Sequence, residues 1–181
     1  PMSTQLLLQW KNNKPDPATP KINEWTNPEL TVEGVVGGKV KYSFDVWNQA
    51  VEWCRELGIK IMIDIHSAET ASAGHQVSLW YTDKYSTEDW YEALEWLTDY
   101  YKDDDTLIAI DLKNEPHGKA DVPSQMAKWD DSKDPNNWKY AAECAAEKVL
   151  AINPNLLIMV EGIEVYPKEG YDWTAPAKDW T

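Results

Sequence analysis

Apolar positions along this chain follow two rhythms. Three short runs, residues 59–65 (IKIMIDI), 107–112 (LIAIDL) and 156–160 (LLIMV), are mostly apolar at odd and even positions alike, the pattern of strands covered on both faces of a parallel sheet. Between them apolar residues recur at helical spacing. Val46, Trp47, Ala50, Val51, Trp53, Cys54 and Leu57 form one stripe, with Ser43 placed to cap its start and Gly58 to stop it. Trp90, Ala93, Leu94, Leu97 and Tyr101 form a second, opened by Ser86 or Thr87. A third opens at Asn136 or Asn137, runs through Ala141, Cys144, Ala145, Lys148 and Val149, and stops at Asn153-Pro154. The order helix, strand, helix, strand, helix, strand predicts right-handed βαβ units and a parallel sheet.

Connector lengths separate two ends of that sheet. Links from helix to strand are short: Gly58, residues 102–106 and residues 153–155. Links from strand to helix are long, residues 67–85 and 113–135, with residues 4–42 a third if a strand ends near Pro1. Long loops at the carboxyl ends of parallel strands are where an α/β barrel gathers its active site. A nucleotide-binding sheet has no support, because Gly37-Gly38 stands alone in a polar stretch and reads as a turn. Asp103-Asp104-Asp105 reads as a solvated turn before a strand rather than a metal site.

At 181 residues, 43% apolar and 27% charged, the chain has the size and balance of one globular domain. A net charge of −14 opposes phosphate backbones and excludes nucleic acid as a partner. The longest apolar run, residues 156–160, is far short of the roughly 20 residues a membrane helix needs, so no membrane partner is expected. The chain opens at Pro1 without an initiator Met or a leader, which places any export signal upstream. Cys54 and Cys144 fall in predicted helices and read as two buried thiols rather than a disulfide. Eleven Trp and nine Tyr stand against a single Phe, and rings with an apolar face and a polar tip suit a surface that grips sugars. Trp47, Trp53, Trp90, Trp96 and Trp138 lie in predicted helices and read as packing. Trp10, Trp25, Trp80, Trp129, Trp173 and Trp180 lie in long loops or past the last strand, where each either lines a cleft or holds a loop down.

Candidate chemistry collects at strand ends. Asn114-Glu115-Pro116 follows the run 107–112 directly, the position of a catalytic carboxylate in an α/β barrel. Met62, Asp64 and His66 share one side of their strand, so an Asp beneath the His can fix the ring. The plainer alternative is a polar pair satisfied inside the sheet. In an ideal strand Asn114 faces away from Glu115, and both reach one cleft only if the strand end bends. His117 is either a site residue or a surface one, and His75 carries no comparable signal.

In order, MIDIHS (62–67), LWYT (79–82), IDLKNEPHG (110–118) and NPNLLIMVEGIE (153–164) resemble glycoside hydrolase family 5, especially its bacterial endo-β-1,4-glucanases. The resemblance covers nearly the whole chain. It implies an α/β fold of the (β/α)8 TIM barrel type, with residues 1–181 a partial catalytic domain running from the end of the second strand to just past the fifth. It implies a retaining glycoside hydrolase that cleaves internal β-1,4-glucosidic bonds in cellulose or related β-glucans. Glu115 matches the acid/base. Asn114 matches the Asn beside it, whose amide can bind the sugar 2-hydroxyl, and His66 matches the active-site His after the third strand. No metal or organic cofactor is implied. The implied partner is a β-glucan polysaccharide or oligosaccharide, and the full-length enzyme is expected to be secreted and monomeric. The family's Arg before a Pro like Pro1, its His and Tyr after strand six, its nucleophilic Glu after strand seven and its Trp after strand eight fall outside the sequence. Glu161 and Glu164, on the adjacent strand end, would approach a sugar from the same side as Glu115. Retention needs two carboxyls about 5 to 5.5 Å apart on opposite faces. The nucleophile is therefore expected downstream of residue 181, and the chain alone is expected to be inactive. A mannanase or xylanase of the same family and a non-catalytic carbohydrate-binding barrel fragment are the alternatives.

Overall fold

Among the described residues, four parallel strands form one sheet in sequence order: β1 (Met2–Ser3), β2 (Ile61–Ser67), β3 (Leu107–Asp111) and β4 (Leu157–Met159). The described helices lie between them, α1 (Thr4–Lys11) and α2 (Ser43–Glu56) after β1, α3 (Thr87–Tyr100) after β2 and α4 (Trp138–Ile152) after β3. The computed structural model describes residues 2–12, 43–69, 79–117 and 125–163. Pro1, Gly37-Gly38, His75, Glu164, Trp25, Trp173 and Trp180 lie outside the described residues.

The helices share one face of the sheet. Helix α1 packs on α3 and α3 on α4, while Phe44 of α2 stacks on Trp10 of α1 at 4.9 Å and meets Trp96 of α3 at 5.5 Å. Ile63 and Ile65 of β2, with Ile110 and Leu112 at β3, are buried in this layer. A strand order without reversal, covered by helices on one face, is a section of barrel wall. A doubly wound sheet would reverse its order and carry helices on both faces.

The strands are not covered on both faces as their composition predicts. Met62, Leu157 and Met159 point to the face away from the helices and are 54%, 60% and 46% exposed. Strand parity explains the difference: alternate residues face opposite sides, and among the described residues no layer covers the second. Strand β2 also begins two residues later than the run that predicts it. Gly58, at φ 69°, ends α2, its N–H donating to the Arg55 carbonyl at 3.2 Å while the Ile59 N–H reaches Cys54 at 2.8 Å.

Helix α1 corrects the reading of residues 4–42 as loop throughout. Ser3 accepts the Leu6 N–H at 3.1 Å as N-cap, and Thr4, Leu7 and Trp10 are buried along one side. Trp10 is thus a helical packing residue. Helix α3 opens as expected with a capping box, in which Ser86 and Asp89 each bind the other's backbone N–H, at 3.1 and 2.7 Å. Asn137 is the N-cap of α4 but makes no side-chain cap; its amide donates to the Asp130 carbonyl at 2.8 Å and to the Ser132 carbonyl, tying down the loop before the helix. Trp80 is buried against Trp138 at 5.2 Å and Trp90 at 6.1 Å, so it anchors its loop. Cys54 and Cys144 are free thiols, and both are half-buried rather than buried. No helix among the described residues is long and apolar enough to cross a membrane.

Candidate active site

Toward the carboxyl end of the sheet, the positions facing away from the helices change from apolar to charged. Met62, Ala109 and Leu157 lie level with one another, and Asp64, Asp111 and Met159 form the next level. Two residues further along each strand stand His66, Lys113 and Glu161. His66 Nδ1 lies 3.0 Å from Asp64 Oδ2, the pairing that shared parity predicts. With Asp64 as acceptor the ring carries its proton on Nδ1, and Nε2 is left for a ligand.

Lys113 is fully buried. Its ammonium donates to the His66 carbonyl at 3.2 Å and to the Asn114 carbonyl, joining the ends of β2 and β3. Burial pulls its pKa down to about 8, against the attraction of the Asp64, Glu161, Glu115 and Asp111 carboxyls around it. Asp111 is pushed up to about 7, first by burial and then by its hydrogen bond to Glu161 and the charges of Glu161 and Asp64.

The chain bends where Asn114 and Glu115 need it to. The Asn114 N–H still donates to the Ile65 carbonyl at 3.0 Å, continuing the pairing with β2. Glu115 then adopts φ 47°, the one positive φ at a non-glycine residue among the described residues. Its N–H lies on the β4 side, opposite that of Asn114, and donates to Glu161 Oε2 at 2.7 Å. His117 is buried, and its carbonyl accepts the Ala127 N–H at 3.1 Å, so it is not a surface residue. From the helix side, Trp90 Nε1 donates to the Leu112 carbonyl at 3.1 Å and Trp138 Nε1 to the Glu161 carbonyl at 2.8 Å. Two indoles thereby fix the main chain at the ends of β3 and β4.

A histidine, an Asn-Glu pair and a buried Asp at the carboxyl ends of parallel barrel-type strands frame the comparison with known proteins. The profile of the cellulase family, glycosyl hydrolase family 5, matches residues 24–180. The chain belongs to this family. Among family 5 relatives, Endoglucanase G of Acetivibrio thermocellus is 45% identical over 97% of this chain and 34% of its own length. Endoglucanase B of the same organism is 40% identical over 100% of this chain and 31% of its own. The chain therefore spans about a third of the length of these curated relatives. A hyperthermophilic endocellulase of the archaeon Pyrococcus horikoshii superposes with a TM-score of 0.69, at 26% identity, over 94% of this chain and 48% of that one. The fold is that of the family's (β/α)8 barrel, represented here by four consecutive strands of its wall.

The family 5 motifs fall at one end of the sheet: His66, Asn114 and Glu115 stand on neighbouring strand ends linked by Lys113 and by the Asn114 N–H. Asp111 and Lys113 escaped the sequence reading. The signal that could have found them is a pair of charged residues at alternate positions of an apolar strand, in phase with Asp64 and His66.

Proposed function

We propose that this chain carries the acid/base side of a retaining endo-β-1,4-glucanase site, with Glu115 protonating the glycosidic oxygen and then taking a proton from the attacking water. The observation that carries this reading is that Glu115 follows the carboxyl end of β3, at a bend beside Asn114, with a His66 paired to Asp64 at the end of the neighbouring strand. Asn114 would bind the sugar 2-hydroxyl and His66 a neighbouring polar group, contacts that strengthen as positive charge develops on the ring. The names of the relatives, endoglucanases both, support internal cleavage of a glucan. Such a polymer lies outside the cell, and secretion follows as the matching expectation.

Glu161 is poorly placed as nucleophile. Its carboxylate lies against the backbone N–H of Glu115 on the adjacent strand end, on the same side of any sugar that Glu115 could protonate. Retention asks for a carboxylate about 5 to 5.5 Å away on the opposite face, which a strand from across the barrel would supply.

In the intact protein Glu115→Gln should lower turnover of soluble cellulose by about 10²- to 10⁴-fold, because the amide keeps the shape without the proton. Cellobiosides with activated aryl leaving groups should lose far less in kcat/KM, since they need little protonation. Near wild-type hydrolysis of cellulose by this variant would remove Glu115 from the role. Proton NMR of the earliest products should show the β anomer; an initial α anomer would mean inversion.

A further inference from the structure

Glu161 has a use in the site other than attack on the sugar. Glu115 adopts a backbone conformation that side-chain-bearing residues avoid, so neighbouring contacts must hold it there. Consecutive N–H groups along a strand point to opposite edges, so the Glu115 N–H, following an Asn114 N–H that bonds β2, faces the β4 side and needs an acceptor there. That acceptor is Glu161 Oε2 at 2.7 Å. Glu161 is itself restrained: its carbonyl receives the Trp138 indole N–H at 2.8 Å, and its carboxyl meets that of Asp111. Asp64, Asp111, Lys113 and Glu115 are the charged groups facing this cluster.

We propose that Glu161 is a positioning residue for Glu115: from the end of β4 its carboxylate accepts the Glu115 backbone N–H and holds the acid/base in its left-handed conformation. This rests on the acid/base reading of Glu115. A general acid acts only if its proton points at the leaving oxygen, and functional groups must be held to within about 0.5 Å of their working geometry. Loss of the N–H acceptor would let residue 115 relax toward an ordinary strand conformation and carry the carboxyl away from the glycosidic oxygen. Substrate binding, made by other residues, would change little.

The test compares Glu161→Ala, Glu161→Asp and Glu161→Gln in the intact protein with cellotetraose and with 2,4-dinitrophenyl β-cellobioside. Alanine removes the acceptor. Aspartate keeps the charge and the buried pairing but is one methylene too short to reach the N–H, so it serves if the alanine variant fails to fold. Glutamine can still accept through Oε1 while its amide donates to Asp111. Glu161→Ala and Glu161→Asp should lose roughly 10- to 100-fold in kcat/KM on cellotetraose, the scale of a 1 Å misplacement. They should keep most of their kcat/KM on the dinitrophenyl substrate, and Glu161→Gln should retain most activity on both. Azide, which needs no general base, should restore dinitrophenyl turnover in the impaired variants and give the β-glycosyl azide. Equal losses on both substrates, or wild-type behaviour of Glu161→Asp, would overturn the proposal. An α-glycosyl azide would make Glu161 the nucleophile instead. Glu115→Gln run alongside separates the two readings: if it lacks leaving-group dependence, the acid/base assignment itself falls, whereas dependence in Glu115→Gln without it in the Glu161 variants sinks the positioning role alone.

Discussion

A proton held on Asp111 gives the fold a pH dependence of unusual sign. Its carboxyl is raised from 3.8 to about 7 in the folded protein, with burial the largest cause and Glu161 the next. Between those values the folded chain keeps a proton that the unfolded chain has released, so this residue's contribution to stability falls as pH rises from about 4 to about 7. Asp111→Asn can donate to Glu161 as the protonated acid does, and it cannot ionise. The variant should match the parent at pH 4 and exceed it in stability at pH 8, as urea denaturation at the two pH values will show; a difference independent of pH would mean that Asp111 holds no extra proton. Part of this chemistry is legible in the sequence. Asp64 and His66 share parity on one strand, and the alternation of a strand is enough to bring them together at 3.0 Å. The Asp111–Glu161 pair and the Lys113 ammonium depend on the register between strands and on the bend at Glu115. Neither is written in any single stretch of sequence.

The same distinction holds for elements. The stripe of α3 is legible because Trp90, Ala93, Leu94 and Leu97 repeat at helical spacing behind a capping pair, and all four are buried. Helix α1 is not, because it leaves β1 without a connecting loop and its three consecutive leucines have no helical period. Gly58 is legible as a stop for α2, and its left-handed backbone explains why it works. At φ 69° a side chain is strained, although a Cβ there would meet nothing within 4 Å. Gly58→Ala should therefore cost about 1 kcal/mol from conformation alone. Gly162→Ala, where the space is equally open and φ is not in the left-handed range, should leave stability unchanged. Chemical denaturation of the two variants distinguishes a conformational cost from a packing cost, since only the former predicts a difference between them.

Across the whole molecule, the sheet is lopsided: tryptophans and small residues fill its helix side, while Met62, Leu157 and Met159 lie open on the other. Apolar surface of this kind favours association. The 181-residue chain produced alone should self-associate, with an apparent mass by light scattering that rises with concentration, and the pair of substitutions Met62→Lys and Leu157→Lys should reverse it. An unchanged monomer mass in the parent would show that other parts of the chain cover this face. The helix side has the opposite character. Because Trp90 and Trp138 hold the Leu112 and Glu161 carbonyls from behind the sheet, and Trp80 packs on both indoles, the ends of β3 and β4 are braced from the helix side. Substitutions that spare these three indoles can therefore alter the loops and leave the strand ends in register.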